Sequence, residues 1–419
     1  MLAMPGVIWV IDDFGTGGRT SDFSIDLARI TFPYLGLISV TTLFAAILNS
    51  LSKFAAAAFA PVLLNLCMIG ALLTTIWIDG GADPERAAYL LAFSVSLAGL
   101  VQMLWLVYWA RKAGFKLAIR RPKLTTDVRQ LGVLILPAIF GAGIYQISRF
   151  IDLFFLGRLE EGSFVFLALA DRLNQLPLGI IGIALGTAIL PALSRFIAQH
   201  DLGGAQRVQS NAIELGLLLT VPAAVGLYFA AHPLVSAFYF GGKFGLDDVA
   251  STASVVAMLV IGLPAYVLVK VLTPGFFARR DTKTPVYTAG ISLAINIILN
   301  ILLIPGMGVA GLALAGATAA WANCAMLYFV LHRRGHFHIE ADLLTRISRI
   351  FLSAAAMGAA IYYLAPYGAG YYGAGALLRV GSILALVGAG AVVYFGLAWV
   401  TGAIDRSKID MITRKPAAK

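Results

Sequence analysis

Three ionisable residues, Arg172, Arg149 and Asp152, lie inside apolar stretches long enough to span a membrane. Arg172 and its neighbour Asp171 fall within GSFVFLALADRLNQLPLGIIGIALGTAIL, and Arg149 and Asp152 within ILPAIFGAGIYQISRFIDLFFL. A charge at the bilayer centre costs about 2.5–3.5 kcal/mol even on the lenient insertion scale, so such residues usually face a wet cavity and a ligand. The planar fork of Arg172 suits phosphate oxygens; its bland alternative is an ion pair with Asp171 or Asp152. Adjacent residues point about 100° apart on a helix, which places Asp171 poorly to neutralise Arg172. Arg149 and Asp152, at i, i+3, can pair on one helix face, and Asp152 could instead serve a proton or a coupling cation.

Asn296 and Asn300, at i, i+4, offer amide oxygens that suit a hard cation such as sodium, or hydrogen bonds to a neighbouring helix. Lys270 lies between Pro264 and Pro274 in one apolar run; it either contacts substrate or snorkels to a basic membrane edge. Glu214, shortly after Arg207 near a helix start, reads as solvated.

These residues need helices to position them. Hydrophobic residues make up 60% of the chain and charged ones 12%, with mean hydropathy +0.87. That is outside the soluble range. The chain reads as an all-α polytopic membrane protein, since barrel-type alternation is missing. Apolar runs between polar breaks give eleven spans: 30–51, 57–78, 86–110, 131–156, 163–196, 209–239, 250–277, 285–304, 308–332, 346–365 and 376–402. Several interior prolines, among them Pro177, Pro191, Pro222 and Pro274, give these helices places to bend.

Loop charge orients the bundle. Alternate loops collect 22 of the 31 Lys and Arg, with the largest groups at 111–129 and 406–419. The intervening loops carry Asp79, Asp83 and Glu85, then Glu160 and Glu161, then Asp247 and Asp248. This asymmetry places the C-terminus in the cytoplasm. The net charge of +10 is therefore accounted for by topology and anionic lipid rather than nucleic acid.

An internal repeat organises the chain. FPYLGLISVTTLFAAILNSLSKFAAAAFAPVLLNL (32–66) lies over LPAYVLVKVLTPGFFARRDTKTPVYTAGISLAINI (263–297), with Pro33 on Pro264 and Asn65 on Asn296. Residues 1–11, MLAMPGVIWVI, look like the tail of a helix. The repeat then predicts two parallel six-helix lobes plus an extra pair, one of the transporter architectures. The expected divisions are 1–122, an N-terminal lobe short of its first helices with the interlobe linker; 123–340, a six-helix lobe; and 341–419, two extra helices and a basic tail.

Enzyme chemistry has no foothold. HExxH, GxSxG and Walker loops are absent from the sequence, and a non-enzymatic transporter is expected. Cys67 and Cys324 sit singly in apolar runs as small hydrophobes. His332, His336 and His338 in HRRGHFH lie at a basic helix end without carboxylate or thiolate partners, which favours a helix-terminal role over metal.

The segments ADRLNQLPLGIIGIALGTAILPALS (170–194), VKVLTPGFFARRDTKTPV (269–286) and AAILNSLSKFAAAAFAPVLLN (45–65) resemble the MurJ/MviN lipid II flippase family. That family sits in the multidrug/oligosaccharidyl-lipid/polysaccharide exporter superfamily. The resemblance implies a two-lobed exporter of fourteen helices, of which about eleven are present here. Its substrate is the undecaprenyl-diphosphate-linked peptidoglycan precursor, flipped outward across the cytoplasmic membrane of a Gram-negative bacterium by alternating access. The last two helices would form a groove for the lipid tail.

Arg172 then matches a cavity arginine of the family, and Gln175 stands where some members carry Glu; Arg149 and Lys270 join them as candidate substrate contacts. Asp152, Asn296, Asn300 and Thr318 resemble a sodium site of some members, with Asn300 where an aspartate can stand. Sodium is thus the candidate coupling ion, with no other cofactor expected. The implied partners are lipid II, membrane lipids and cell-wall synthesis enzymes.

Relative to the family, the chain starts near the end of the third helix. A misassigned start or a truncated gene would account for this, and the truncated form is expected not to flip. Rival readings are a drug/cation antiporter or O-antigen-type flippase of the same superfamily, and a membrane scaffold for cell-wall enzymes.

Overall fold

Acidic caps, first-turn prolines and glycines beyond the last turn divide this apolar chain into helices. The computed structural model describes residues 22–51, 53–115, 146–160, 162–372 and 376–404. The helices are α1 (Asp22–Thr31), α2 (Pro33–Ser50), α3 (Phe54–Asp79) and α4 (Pro84–Lys112). A helical segment α5 at 146–156 follows. Next come α6 (Ser163–Ala198), α7 (Leu202–Phe229), α8 (Ala231–Tyr239) and α9 (Leu246–Val260). The remainder are α10 (Leu263–Phe277), α11 (Lys283–Arg333), α12 (Ala341–Tyr372) and α13 (Ala376–Val400). The residues 1–11, most of the basic stretch 111–129, the first part of the expected span 131–156 and the basic tail lie outside the described residues.

The chain divides into two compact units, Met1–Leu131 and Gly132–Lys419. In the first, α4 packs on α2 and α3. Asp83 caps α4, its carboxylate accepting from the Glu85 and Arg86 amides at 3.1 and 3.2 Å. Phe44, Leu48, Ala56, Ala60, Leu106 and Ala110 form the core. Within it Gln102 donates to the Ala60 carbonyl at 2.8 Å and the Trp105 indole to the Ala56 carbonyl at 3.1 Å. Apolar burial gives helices little reason to associate in lipid, so close packing and such interhelical bonds hold the trio.

In the second unit α6 packs against α7, α9 and α10, while α12 lies on α7 and α13 on α12. One core joins α6, α7, α10, α11 and α12 through residues such as Leu193, Leu217, Val271, Leu331 and Ile350; a second surrounds Ala170, Leu173, Val249 and Val256. Polar side chains again reach across. Gln209 donates to the Val271 carbonyl and the Tyr394 hydroxyl to the Leu218 carbonyl, both at 2.7 Å.

Helix α11 has 51 residues, about 76 Å at 1.5 Å per residue, against a hydrocarbon core of about 30 Å. It does not run straight. At Gly308 the backbone takes φ 56° and ψ −133°, conformations suited to glycine, and the chain turns back. The two halves are antiparallel: Ser292 donates to the Ala319 carbonyl at 2.7 Å, and a Cβ on Gly311 would stand 2.6 Å from the Leu303 oxygen. The two spans expected at 285–304 and 308–332 are these halves. Among the described residues nine stretches are long and apolar enough to cross a membrane, this hairpin counting as one. The chain is an all-α, multi-pass membrane protein.

Candidate functional site

One face of α6 carries two of the candidate side chains, Arg172 and Gln175. Arg172, Gln175, Gly179, Gly182 and Gly186 follow one another at alternating steps of three and four residues, which keeps them on one side of the helix. Arg172 and Gln175 are exposed there. Among the described residues no hydrogen bond or ion pair engages Arg172, although Tyr239 of α8 lies within its electrostatic reach. Nothing stands within 4 Å of where a Gly179 Cβ would be, so the face stays open below the arginine.

Ten residues further along, about 15 Å by helical rise, a second cation lies on the same face. Lys270 of α10 rests its chain on Gly182, whose added Cβ would meet the lysine Cδ and Nζ at 3.2 Å, and on Gly186, at 3.9 Å from its Cβ. The glycines are the bed that lets a long side chain lie flat. Lys270 is exposed, and among the described residues it too has no hydrogen-bond or ion-pair partner.

Asp171 is engaged elsewhere. Its Oδ2 accepts from Gln175 Nε2 at 2.6 Å and pairs with the Arg149 guanidinium at 3.5 Å. The ion pair of Arg149 runs to Asp171 on α6, while Asp152, the partner expected from helical spacing, sits within the field of the same guanidinium. Sequence reasoning missed this bridge, because a separation of 22 residues across two helices has no periodic signal.

Of the four candidate sodium ligands, two come together. Asn300 Nδ2 donates to Asn296 Oδ1 at 3.1 Å in a buried pair. The Asn300 Oδ1 is buried without a hydrogen-bond partner. Thr318 is exposed and its hydroxyl donates back to the Leu314 carbonyl at 2.8 Å. Among the described residues neither Thr318 nor Asp152 shares a hydrogen bond with the asparagine pair.

Asp281, Arg334 and Arg279 are answered at the junction of α10 and α11. Between α10 and α11, Asp281 accepts from the Thr284 hydroxyl and Arg334 NH1, each at 2.6 Å, and from the Lys283 and Thr284 amides at 3.1 and 3.0 Å. Partial burial alone would raise this carboxyl, but the Thr284 and Arg334 donors outweigh it and bring it down to about 2. Arg279 donates to the Gly275 carbonyl at 2.7 Å and to the His336 carbonyl at 3.4 Å. Loss of hydration, then the Arg279 and Arg334 charges, lower His336, with Asp281 pulling the other way.

Glu214 corrects an expectation. Rather than solvated, its side chain is 7% exposed and pairs with Arg346 of α12 at 3.1 Å. The helix α12 covers it, and a buried carboxylate requires the cation that α12 brings.

The comparisons with known proteins agree on one relationship. A family model described as "Lipid II flippase MurJ" matches residues 1–382. A protein of Rhizobium tropici named as a probable lipid II flippase is 38% identical over 417 residues, which cover 99% of this chain and 77% of that protein. A relative of the same name in Vibrio cholerae is 34% identical over 405 residues, covering 96% of this chain and 76% of its own length. Among solved structures, "Lipid II flippase MurJ, inward closed conformation" superimposes with a TM-score of 0.73 at 22% identity, covering 98% of this chain and 80% of that one. An inward-facing multidrug resistance MATE family transporter gives 0.63 at 14% identity, with coverages of 79% and 76%. At these identities the structural matches speak for the exporter fold alone.

Proposed function

The chain belongs to the lipid II flippase family, and on that premise we propose that it carries the lipid-linked peptidoglycan precursor from the inner to the outer leaflet of the cytoplasmic membrane by alternating access. It is a transporter, not an enzyme. The observation that carries the reading at the site is the open face of α6, where Arg172 and, about 15 Å of helical rise further on, Lys270 present two cations with no protein anion against either among the described residues. A bidentate guanidinium suits the diphosphate oxygens, so Arg172 is the principal ligand. Lys270, a compact charge on a flexible stem, supplies a second stop along the same face.

The loop-charge pattern supports a cytoplasmic C-terminus. Sodium is the candidate coupling ion, with the buried unpartnered oxygen of Asn300 as the group that would receive it. Partners implied by this function are the cell-wall synthesis enzymes that consume the flipped lipid.

The test is growth of flippase-depleted cells supplied with this chain or with Arg172→Ala, alongside binding of lipid II, undecaprenyl phosphate and a cationic drug to the purified protein. Growth support that disappears in the variant, with expression intact, and preference for lipid II are expected. Normal growth with Arg172→Ala would remove the arginine from the mechanism. Preference for the cationic drug would point to an antiporter instead.

A further inference from the structure

Asp171 stands one residue from the arginine that is to hold an anion. A free carboxylate there would repel a diphosphate and lower the local positive potential. Its oxygen Oδ2 is instead occupied twice, by Gln175 Nε2 at 2.6 Å and by the Arg149 guanidinium at 3.5 Å. The amide anchors the carboxylate within α6, one turn on. The guanidinium, arriving from α5, cancels its charge.

We propose that Arg149 and Gln175 are positioning residues rather than substrate ligands: they hold and neutralise Asp171, so that the charge of Arg172 is left in excess for the incoming diphosphate. The inference rests on the reading of Arg172 as a diphosphate ligand. Three observations carry it. The contacts of Asp171 run to Gln175 and Arg149 and not to its neighbour Arg172. Arg172 stays exposed on the face that leads to Lys270. Arg149 also lies within electrostatic reach of Asp152, so one cation from α5 serves carboxylates on two helices. Two carboxylates and two arginines therefore share this region, and the division of labour between the arginines decides which charge an anion meets.

The inference makes a charge-suppression prediction. In purified full-length protein, Arg149→Ala should weaken lipid II binding about fivefold to tenfold, the scale of one ion pair released in a partly shielded site. Adding Asp171→Asn should return the affinity to within about twofold of the parent, because the carboxylate that needed neutralising has gone. Adding Asp152→Asn in its place should not restore it. Where Arg149→Ala does not purify, Arg149→Gln carries the same comparison, since it keeps a hydrogen-bond donor and removes the charge.

A merely structural role for Arg149 would show in the melting temperature and would not be reversed by deleting a second polar group. Unchanged affinity in Arg149→Ala, failure of Asp171→Asn to restore binding, or equal restoration by Asp152→Asn would each overturn the inference. Arg172→Ala is run in parallel. If it binds lipid II as the parent does, the underlying ligand assignment fails. If it loses binding while the Arg149 series behaves otherwise than stated, the positioning role alone fails.

Discussion

Two charged regions of the second unit treat their cations in opposite ways. At the elbow between α10 and α11, Arg334 meets Asp281 and Thr284, while Arg279 meets the carbonyls of Gly275 and His336. On the open face of α6, Arg172 and Lys270 meet no such partner among the described residues. The contrast teaches which cations serve the fold. A charge spent on a carboxylate or a carbonyl fixes a loop. A charge kept inside an apolar span without one is a standing cost, tolerated where a ligand answers it.

Crossed substitutions can break that contrast. The largest effect is expected from Arg172→Ala, with loss of growth support and no fall in the melting temperature of the purified protein. If the melting temperature falls sharply instead, Arg172 is a structural residue like those of the elbow. Next is Arg346→Ala, which removes the cation paired with the buried Glu214 carboxylate; the partly exposed arginine discounts the usual penalty to about 2 kcal/mol. Thermal denaturation should show it, and Glu214→Gln in the same background should recover most of the loss.

Lys270→Ala should weaken lipid II binding several-fold and leave the melting temperature in place, as removal of an open cation does. A variant that melts early and binds normally would move Lys270 into the structural class. Smallest is Asp281→Asn at the elbow. The folded carboxyl near 2 lies below the ordinary value of about 3.9, so its contribution is present above about pH 4 and disappears as the pH falls through 2. Melting curves should show the variant about 1–2 °C lower at neutral pH and the difference closing below pH 3. A gap that persists at pH 2 would mean that something other than the charge holds the elbow.

Much of this is legible in the sequence. Apolar runs located the spans, including the two halves of α11, since a membrane permits little backbone other than helix. Arg172 and Lys270 stood out because ionisable residues are rare in such runs. The link from Gln175 to Asp171 follows helical spacing. What the sequence hid are contacts between helices. Arg149 reaches Asp171 from α5, and Arg346 reaches Glu214 across 132 residues. Spacing rules describe neighbours on one helix, and by them Glu214 reads as solvated, whereas α12 covers it. Only packing shows that the bed of Gly182 and Gly186 is occupied by a lysine.

The break at Gly308 has a consequence for biogenesis. Both ends of α11 are basic, with Arg279 and Arg280 before it, Lys283 as its first residue and His332, Arg333 and Arg334 at its close, while IPGMGVAG at the turn carries no charge. The cations hold both ends on one side of the membrane, and the turn offers no polar loop to anchor on the other. The second half helps to cover the buried asparagine pair, since a Cβ on Gly316 would stand 3.8 Å from Asn296 Nδ2. Entry of the two halves as one hairpin is the expected route, checked by whether a charge introduced at the turn lowers membrane insertion of both halves together.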